Sequence, residues 1–208
     1  MFLSKLIVNS RSVNTRQLLA SPYLLHKAIC RAFPDAGEGG TGRVLFRLDE
    51  EPYSENIYLL VQSEKEPCWE KAALLNKRLV GSPQYKKVEL HVKEGQTLYF
   101  RLRANPTIKR EGKRLGILHE DSQIAWLRRK AKDSGFSVNS CTVIPEGIVK
   151  DKKAELSANS FNISFISVRF EGVLKVDDAS IFTNTVSQGI GSGKAMGFGL
   201  LSIAPSKG

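Results

Sequence analysis

Two rhythms of hydrophobic positions run along this chain. "FLSKLIVN" (2–9) is a short run rich in apolar residues and predicts a strand. Over residues 14–33 the period becomes helical, best formed from Pro22, with Ser21 as N-cap and Pro22 as first helical residue. At about 100° per residue, Leu25, Ala28, Ile29, Ala32 and Phe33 gather on one side, the predicted core face. Tyr23, His26, Lys27 and Cys30 fall on the other side, with Arg31 at its edge. "DAGEGGTG" (35–42) reads as a loop. "RVLFRLD" (43–49) and "IYLLVQS" (57–63) read as strands, "CWEKAALLNKRL" as a weaker helix and "KKVELHV" as a closing strand. The order is β-α-β-β-α-β.

The pattern then recurs. "QTLYFRLR" (96–103) alternates, with Leu98, Phe100 and Leu102 on one face and Tyr99, Arg101 and Arg103 on the other. "DSQIAWLRRKAKDSG" predicts a helix that Gly135 stops. "FSVNSCTVI" and "FNISFISVRFEGVLKV" predict strands separated by a polar, lysine-bearing stretch. "DDASIFTNTVSQG" predicts a helix and "FGLLSIAP" a last short strand. Two successive β-α-β-β-α-β units predict an α+β chain of tandem ferredoxin-like (RNA-recognition-motif-like) domains, 1–90 and 91–208.

Composition narrows the class. The 208 residues are 41% hydrophobic, enough for one large core or two small ones. No apolar run approaches the roughly 18 residues needed to span a bilayer, and "MFLSKLIVNSR" lacks the layout of a signal peptide. The expectation is a cytoplasmic protein without a membrane partner. Cys30, Cys68 and Cys141 are scattered and odd in number, with no CxxC pair, so neither a disulfide framework nor a structural zinc site is expected.

Charge changes the picture more. Lys and Arg number 31 against 21 Asp and Glu, a formal net charge of +10, which suits a polyanion. The cations also cluster. Residues 101–114 carry Arg101, Arg103, Lys109, Arg110, Lys113 and Arg114 around a turn. "VKDKKAE" (149–155) carries Lys150, Lys152 and Lys153 as a hairpin tip would. Both are candidates for phosphate contacts, which position a nucleic acid without reading it. "LRRKAK" (127–132) ends a helix, where cations offset the dipole, so a structural role is expected there.

In "QGIGSGKAMGFGLL" (188–201), Gln188 and Ala195 stand where a Walker A loop needs Gly and Ser or Thr, and a dinucleotide fingerprint fails as well. Two readings remain. Gly191 and Gly193 could let backbone amides approach a phosphodiester beside Lys194, or the stretch is a tight turn before the last strand. "MGFGLLSI" echoes an RNA-recognition signature, but Leu200 replaces the stacking aromatic, so base stacking is not expected.

Of three histidines, His91 in a strand and His119 ahead of a helix read as structural. His26 shares a polar face with Tyr23 and Lys27. An imidazole titrates near neutrality and suits proton transfer. A phenol one turn away can orient a reacting oxygen, and a lysine can offset charge. The sequence shows neither a carboxylate cluster of two-metal type nor a G-x-S-x-G elbow. Proton transfer without a metal or other cofactor, on a polyanion, points to RNA, which carries its own 2′-hydroxyl nucleophile.

"SPYLLHKAI", "YFRLRANP", "IAWLRRKAKDSGF", "FEGVLKVDD" and "GIGSGKAMGFGLLSIAP" together resemble the CRISPR-associated CasE family, the repeat-processing endoribonuclease of type I-E Cascade. The resemblance implies two ferredoxin-like domains with a cleft between them. It implies metal-independent cleavage of a CRISPR repeat RNA hairpin at the 3′ base of its stem, and retention on the product beside other Cascade subunits. Tyr23 and His26 match the family's catalytic pair, with Lys27 and Arg31 nearby as RNA-contact candidates. The stretch around Lys150, Lys152 and Lys153 matches a basic hairpin used on the RNA stem, interrupted here by Asp151. A non-catalytic tandem RNA-binding scaffold is the alternative. A duplex DNA binder is weaker, because no helix-turn-helix or zinc motif is visible.

Overall fold

The computed structural model describes residues 1–34, 40–50, 56–153 and 161–206, with backbone alone at 152–153 and 161–163. Two compact units emerge. The first takes Met1–Glu89, a segment starting at Asp151, and Ala195–Gly197; the second takes Leu90–Lys150, Ser164–Lys194 and the chain from Phe198.

In the first unit β1 (Phe2–Asn9) leads to the helices α1 (Val13–Ala20) and α2 (Pro22–Cys30). The strands β2 (Val44–Glu50) and β3 (Asn56–Ser63) follow. A 3₁₀ turn at Trp69–Lys71, the one-turn helix α3 (Ala73–Asn76) and β4 (Gln84–Lys87) complete the unit. The sheet order is β2-β3-β1-β4, with β1 antiparallel to both neighbours. That is the ferredoxin-like arrangement. Leu6 and Val8 of β1, Phe46 of β2 and Val61 of β3 pack against Leu25, Ala28, Ile29, Ala32 and Phe33. The helix therefore buries the face its periodicity predicts.

Three local expectations are corrected. The single helix expected over 14–33 is two, because Ser21 is extended at φ −113°, ψ 95°. Proline disfavours helical geometry in the residue before it, so Pro22 breaks one helix as it starts the next. The weaker helix shrinks to the 3₁₀ turn and α3. Trp69, Ala72 and Leu75 are all buried at three-residue spacing, which suits a 3₁₀ path. The closing strand ends at Lys87, since Lys87 already pairs with Phe2 at the start of β1. His91 accordingly lies outside any strand and is exposed.

The second unit begins with β5 (Thr97–Ala104), then β6 (Thr107–Arg110), β7 (Lys113–Gly116) and α4 (Glu120–Lys132). It continues through β8 (Phe136–Lys153), β9 (Phe161–Val176), α5 (Ala179–Gln188), a 3₁₀ turn at Lys194–Met196 and β10 (Leu201–Pro205). Its sheet order, β10-β5-β9-β8, repeats the ferredoxin-like order. Leu98, Phe100 and Leu102 are buried, as the alternation of β5 predicts. Trp126 of α4 stacks on Phe170, and Phe136 meets Phe182 of α5 edge-on. The turn expected near 101–114 is a hairpin of its own, β6–β7. Glu111 (φ 48°) and Gly112 (φ 77°) turn it with positive φ at both positions, the geometry of a tight hairpin loop. Among the described residues, no helix is long and apolar enough to cross a membrane.

Candidate functional site

The N-terminus of α2 is tied down by hydrogen bonds. The Ser21 hydroxyl oxygen accepts from the Leu24 N–H at 3.3 Å. That hydroxyl donates to Asp151 Oδ1 at 3.0 Å, and the Tyr23 N–H donates to Asp151 Oδ2 at 2.7 Å. Asp151 is only 8% exposed. The residue that interrupts a basic run in the sequence is thus a buried acceptor for the first turn of this helix, where unpaired amides and the positive end of the dipole favour an anion.

Further along α2, the polar face is less wet than its spacing suggests. Lys27 is exposed, but Tyr23 and His26 are half-buried. The His26 ring stacks on Phe46, with centroids 6.0 Å apart and planes at 18°. Cys30 Sγ lies 3.6 Å from His26 Nε2, one helical turn away. Burial holds the His26 pKa below its ordinary 6.5, so the imidazole is mainly neutral near pH 7. The same desolvation pushes the Cys30 thiol up.

Phe46 is itself fully buried, and Gly197 lies against it. At φ +82°, a Cβ on Gly197 would stand 3.1 Å from the Phe46 ring. Glycine is needed there on both counts. The glycine-rich stretch therefore closes over the ring that carries His26. Phe198, of the echoed RNA-recognition signature, is buried and offers no stacking surface.

The cations form a different environment in the second unit. A cavity of about 530 Å³ is lined by Lys109, Arg114, Arg129 and Lys130, with Trp126 and Gly191. A Cβ on Gly191 would lie 3.3 Å from Trp126, so the glycine lets the backbone rest on the indole. The hairpin register sets Lys109 opposite Arg114 and Arg110 opposite Lys113. Like charges facing across a ladder oppose pairing, and an anion bound over the hairpin would relieve that repulsion. Arg129 and Lys130, which the sequence reads as dipole partners at the end of α4, line this cavity too. Their signal was present, since both follow Trp126 at helical spacing of three and four and so share its face.

Arg101 and Arg103 stand apart from this group. Arg101 pairs with Glu171 at 2.7 Å. Arg103 pairs with Glu146 at 2.6 Å and lies over the Phe198 ring. Carboxylates already hold both guanidinium groups on the face of the sheet. Arg31 and Lys150 are exposed, while Gly193 and Lys194 are half-buried. Lys152 and Lys153 lie at the end of β8, and their side chains fall outside the described residues. His119 is the exposed N-cap of α4.

So the structure groups Tyr23, His26, Cys30 and Asp151 around α2, and Lys109, Arg114, Arg129, Lys130 and Gly191 around the hairpin. The first set puts an imidazole able to move a proton on the same helix as a tyrosine; the second can hold an anion.

The model of the CRISPR associated protein family matches residues 1–205. The chain is 32% identical to the CRISPR-associated endoribonuclease Cse3 of Thermus thermophilus, covering 99% of this chain and 100% of that protein. It is 33% identical to the CRISPR system Cascade subunit CasE of Escherichia coli, again over 99% and 100%. The solved structure of Thermus thermophilus Cse3 bound to an RNA representing a pre-cleavage complex matches with a TM-score of 0.85 at 32% identity, covering 98% of each chain.

Proposed function

Because the chain belongs to the CRISPR associated protein family, we propose that it is a cytoplasmic, metal-independent endoribonuclease that cuts CRISPR repeat RNA at the 3′ base of a hairpin and stays on the product as a Cascade subunit. The observation that carries this reading is the half-buried, desolvated imidazole of His26 on the helix that also bears Tyr23. The relatives support it: one is named an endoribonuclease with an RNA-bound structure, the other a Cascade subunit.

RNA supplies the nucleophile. The 2′-hydroxyl beside the scissile phosphate attacks phosphorus, and the bond to the 5′-oxygen breaks. The products are a 2′,3′-cyclic phosphate and a 5′-hydroxyl. His26 moves a proton at the attacking or the leaving oxygen, and its low pKa makes the neutral base form available at pH 7. Tyr23 orients the phosphate or the nucleophile. Lys27, exposed on the same helix, offsets developing charge. The hairpin cations Lys109 and Arg114, with Arg129 and Lys130, grip the stem phosphates.

The test is to incubate the chain with repeat RNA in excess chelator and map the product ends. One cut leaving a cyclic phosphate and a 5′-hydroxyl is expected, and a 2′-deoxy nucleotide at the cut position should abolish it. Cleavage of the deoxy substrate overturns the internal attack. Tight binding with no cleavage favours a scaffold role instead.

A further inference from the structure

We propose that Asp151 is a positioning residue for RNA cleavage, a role that rests on reading Tyr23 and His26 as the cleavage pair. It holds the first turn of α2, and with it the backbone of Tyr23, in the geometry the reaction needs.

The argument starts from an anomaly of charge. Asp151 stands between Lys150 and Lys152 in a run otherwise suited to phosphate. A carboxylate displayed there would repel the substrate. It is not displayed: the residue is 8% exposed, while its neighbour Lys150 is exposed, as strand alternation requires. The two carboxylate oxygens divide their work. Oδ1 takes the Ser21 hydroxyl at 3.0 Å, and Oδ2 takes the Tyr23 amide at 2.7 Å. Ser21, in donating, leaves its own oxygen to accept from Leu24. Pro22 has no N–H to contribute. One carboxylate therefore holds the first free amide of the helix directly and the next through a hydroxyl. Tyr23 sits at the point of attachment, and His26 follows one turn later.

The consequence is geometric. A hydrogen bond of 2.7 Å from the Tyr23 N–H to the Asp151 carboxyl oxygen is short. Losing it frees the turn that aims Tyr23, and misplacement by about 1 Å can cost on the order of 10²-fold in rate.

The experiment compares Asp151→Ala and Asp151→Asn with the wild-type chain. It measures single-turnover cleavage at saturating RNA, hairpin affinity, and hydrogen exchange at the Tyr23 amide. For Asp151→Ala we expect cleavage slowed by roughly 10- to 100-fold, binding unchanged or tighter because a negative charge is gone, and a faster-exchanging Tyr23 amide. Asp151→Asn keeps a carbonyl acceptor and should recover most of the rate and the protection. Wild-type cleavage by Asp151→Ala overturns the proposal, as does unchanged exchange at Tyr23. Equal slowing of both variants with equally weakened binding also overturns it, pointing to RNA contact instead. If the wild-type chain binds RNA without cutting it, the parent reading fails, and the Tyr23 exchange still decides whether Asp151 clamps the helix.

Discussion

The two units order their strands alike and differ in what they place between them. In the first, α2 lies between β1 and β2 and carries the half-buried Tyr23 and His26, with Cys30 Sγ 3.6 Å from the imidazole and the first turn of the helix held by the buried Asp151. Its second crossover is reduced to a 3₁₀ turn and the four-residue α3. In the second, both crossovers are full helices, of 13 and 10 residues, and an extra hairpin precedes the first. That hairpin presents exposed cations facing one another. The same sheet thus supports two kinds of surface. On the proposed function, proton transfer needs a fixed group whose solvation is controlled, which helix packing around His26 would supply. Gripping a phosphate backbone needs charge density, which an exposed hairpin supplies without a core.

The sharpest way to break this contrast is His26→Ala. Single-turnover cleavage should fall by about 10²- to 10⁴-fold while hairpin affinity holds, because a general acid or base is lost and no phosphate contact with it. Equal loss of binding would erase the division between the units. The converse change, Lys109→Ala with Arg114→Ala, should weaken binding and leave the saturated rate intact. The slope of log affinity against log salt should drop by about 0.7 to 0.9 for each phosphate contact removed. A reduced saturated rate would place the hairpin in the chemistry as well.

The smallest effect concerns stability. The folded pKa of His26 lies below its ordinary 6.5, so the unfolded chain takes up the proton first as pH falls. The His26 contribution is full above about pH 6.5 and is lost as pH drops through the folded pKa. Melting curves from pH 7 to pH 5 should show a shallower decline in His26→Gln than in the wild-type chain. Parallel curves would mean that the imidazole is as well solvated folded as unfolded.

Much of this organisation is legible in residue order. The core face of α2 follows from helical spacing, and the buried side of β5 from alternation. The doubled β-α-β-β-α-β pattern carries the topology of both sheets. What escapes is long-range pairing. Asp151 meets Ser21 across 130 positions, and no local pattern announces such a contact. Arg101 looks like a free cation until the register sets it beside Glu171. Arg129 and Lys130 read as dipole partners at the end of α4 until Lys109 and Arg114 are seen around the same cavity. Ser21 looks like a cap and is also a break, because its own conformation is dictated by the proline after it.

The first unit closes only with residues from much later in the chain: the carboxylate at 151 and the turn Ala195–Gly197. A ribosome delivers them after all four strands of that unit. When the nascent chain has reached residue 90, β1 to β4 and α2 have all been translated, yet the helix lacks its carboxylate and Phe46 lacks the glycine that covers it. The helix bearing Tyr23 and His26 is therefore finished only once residues 151 and 197 have been made, and a translation product stopped before them lacks both contacts.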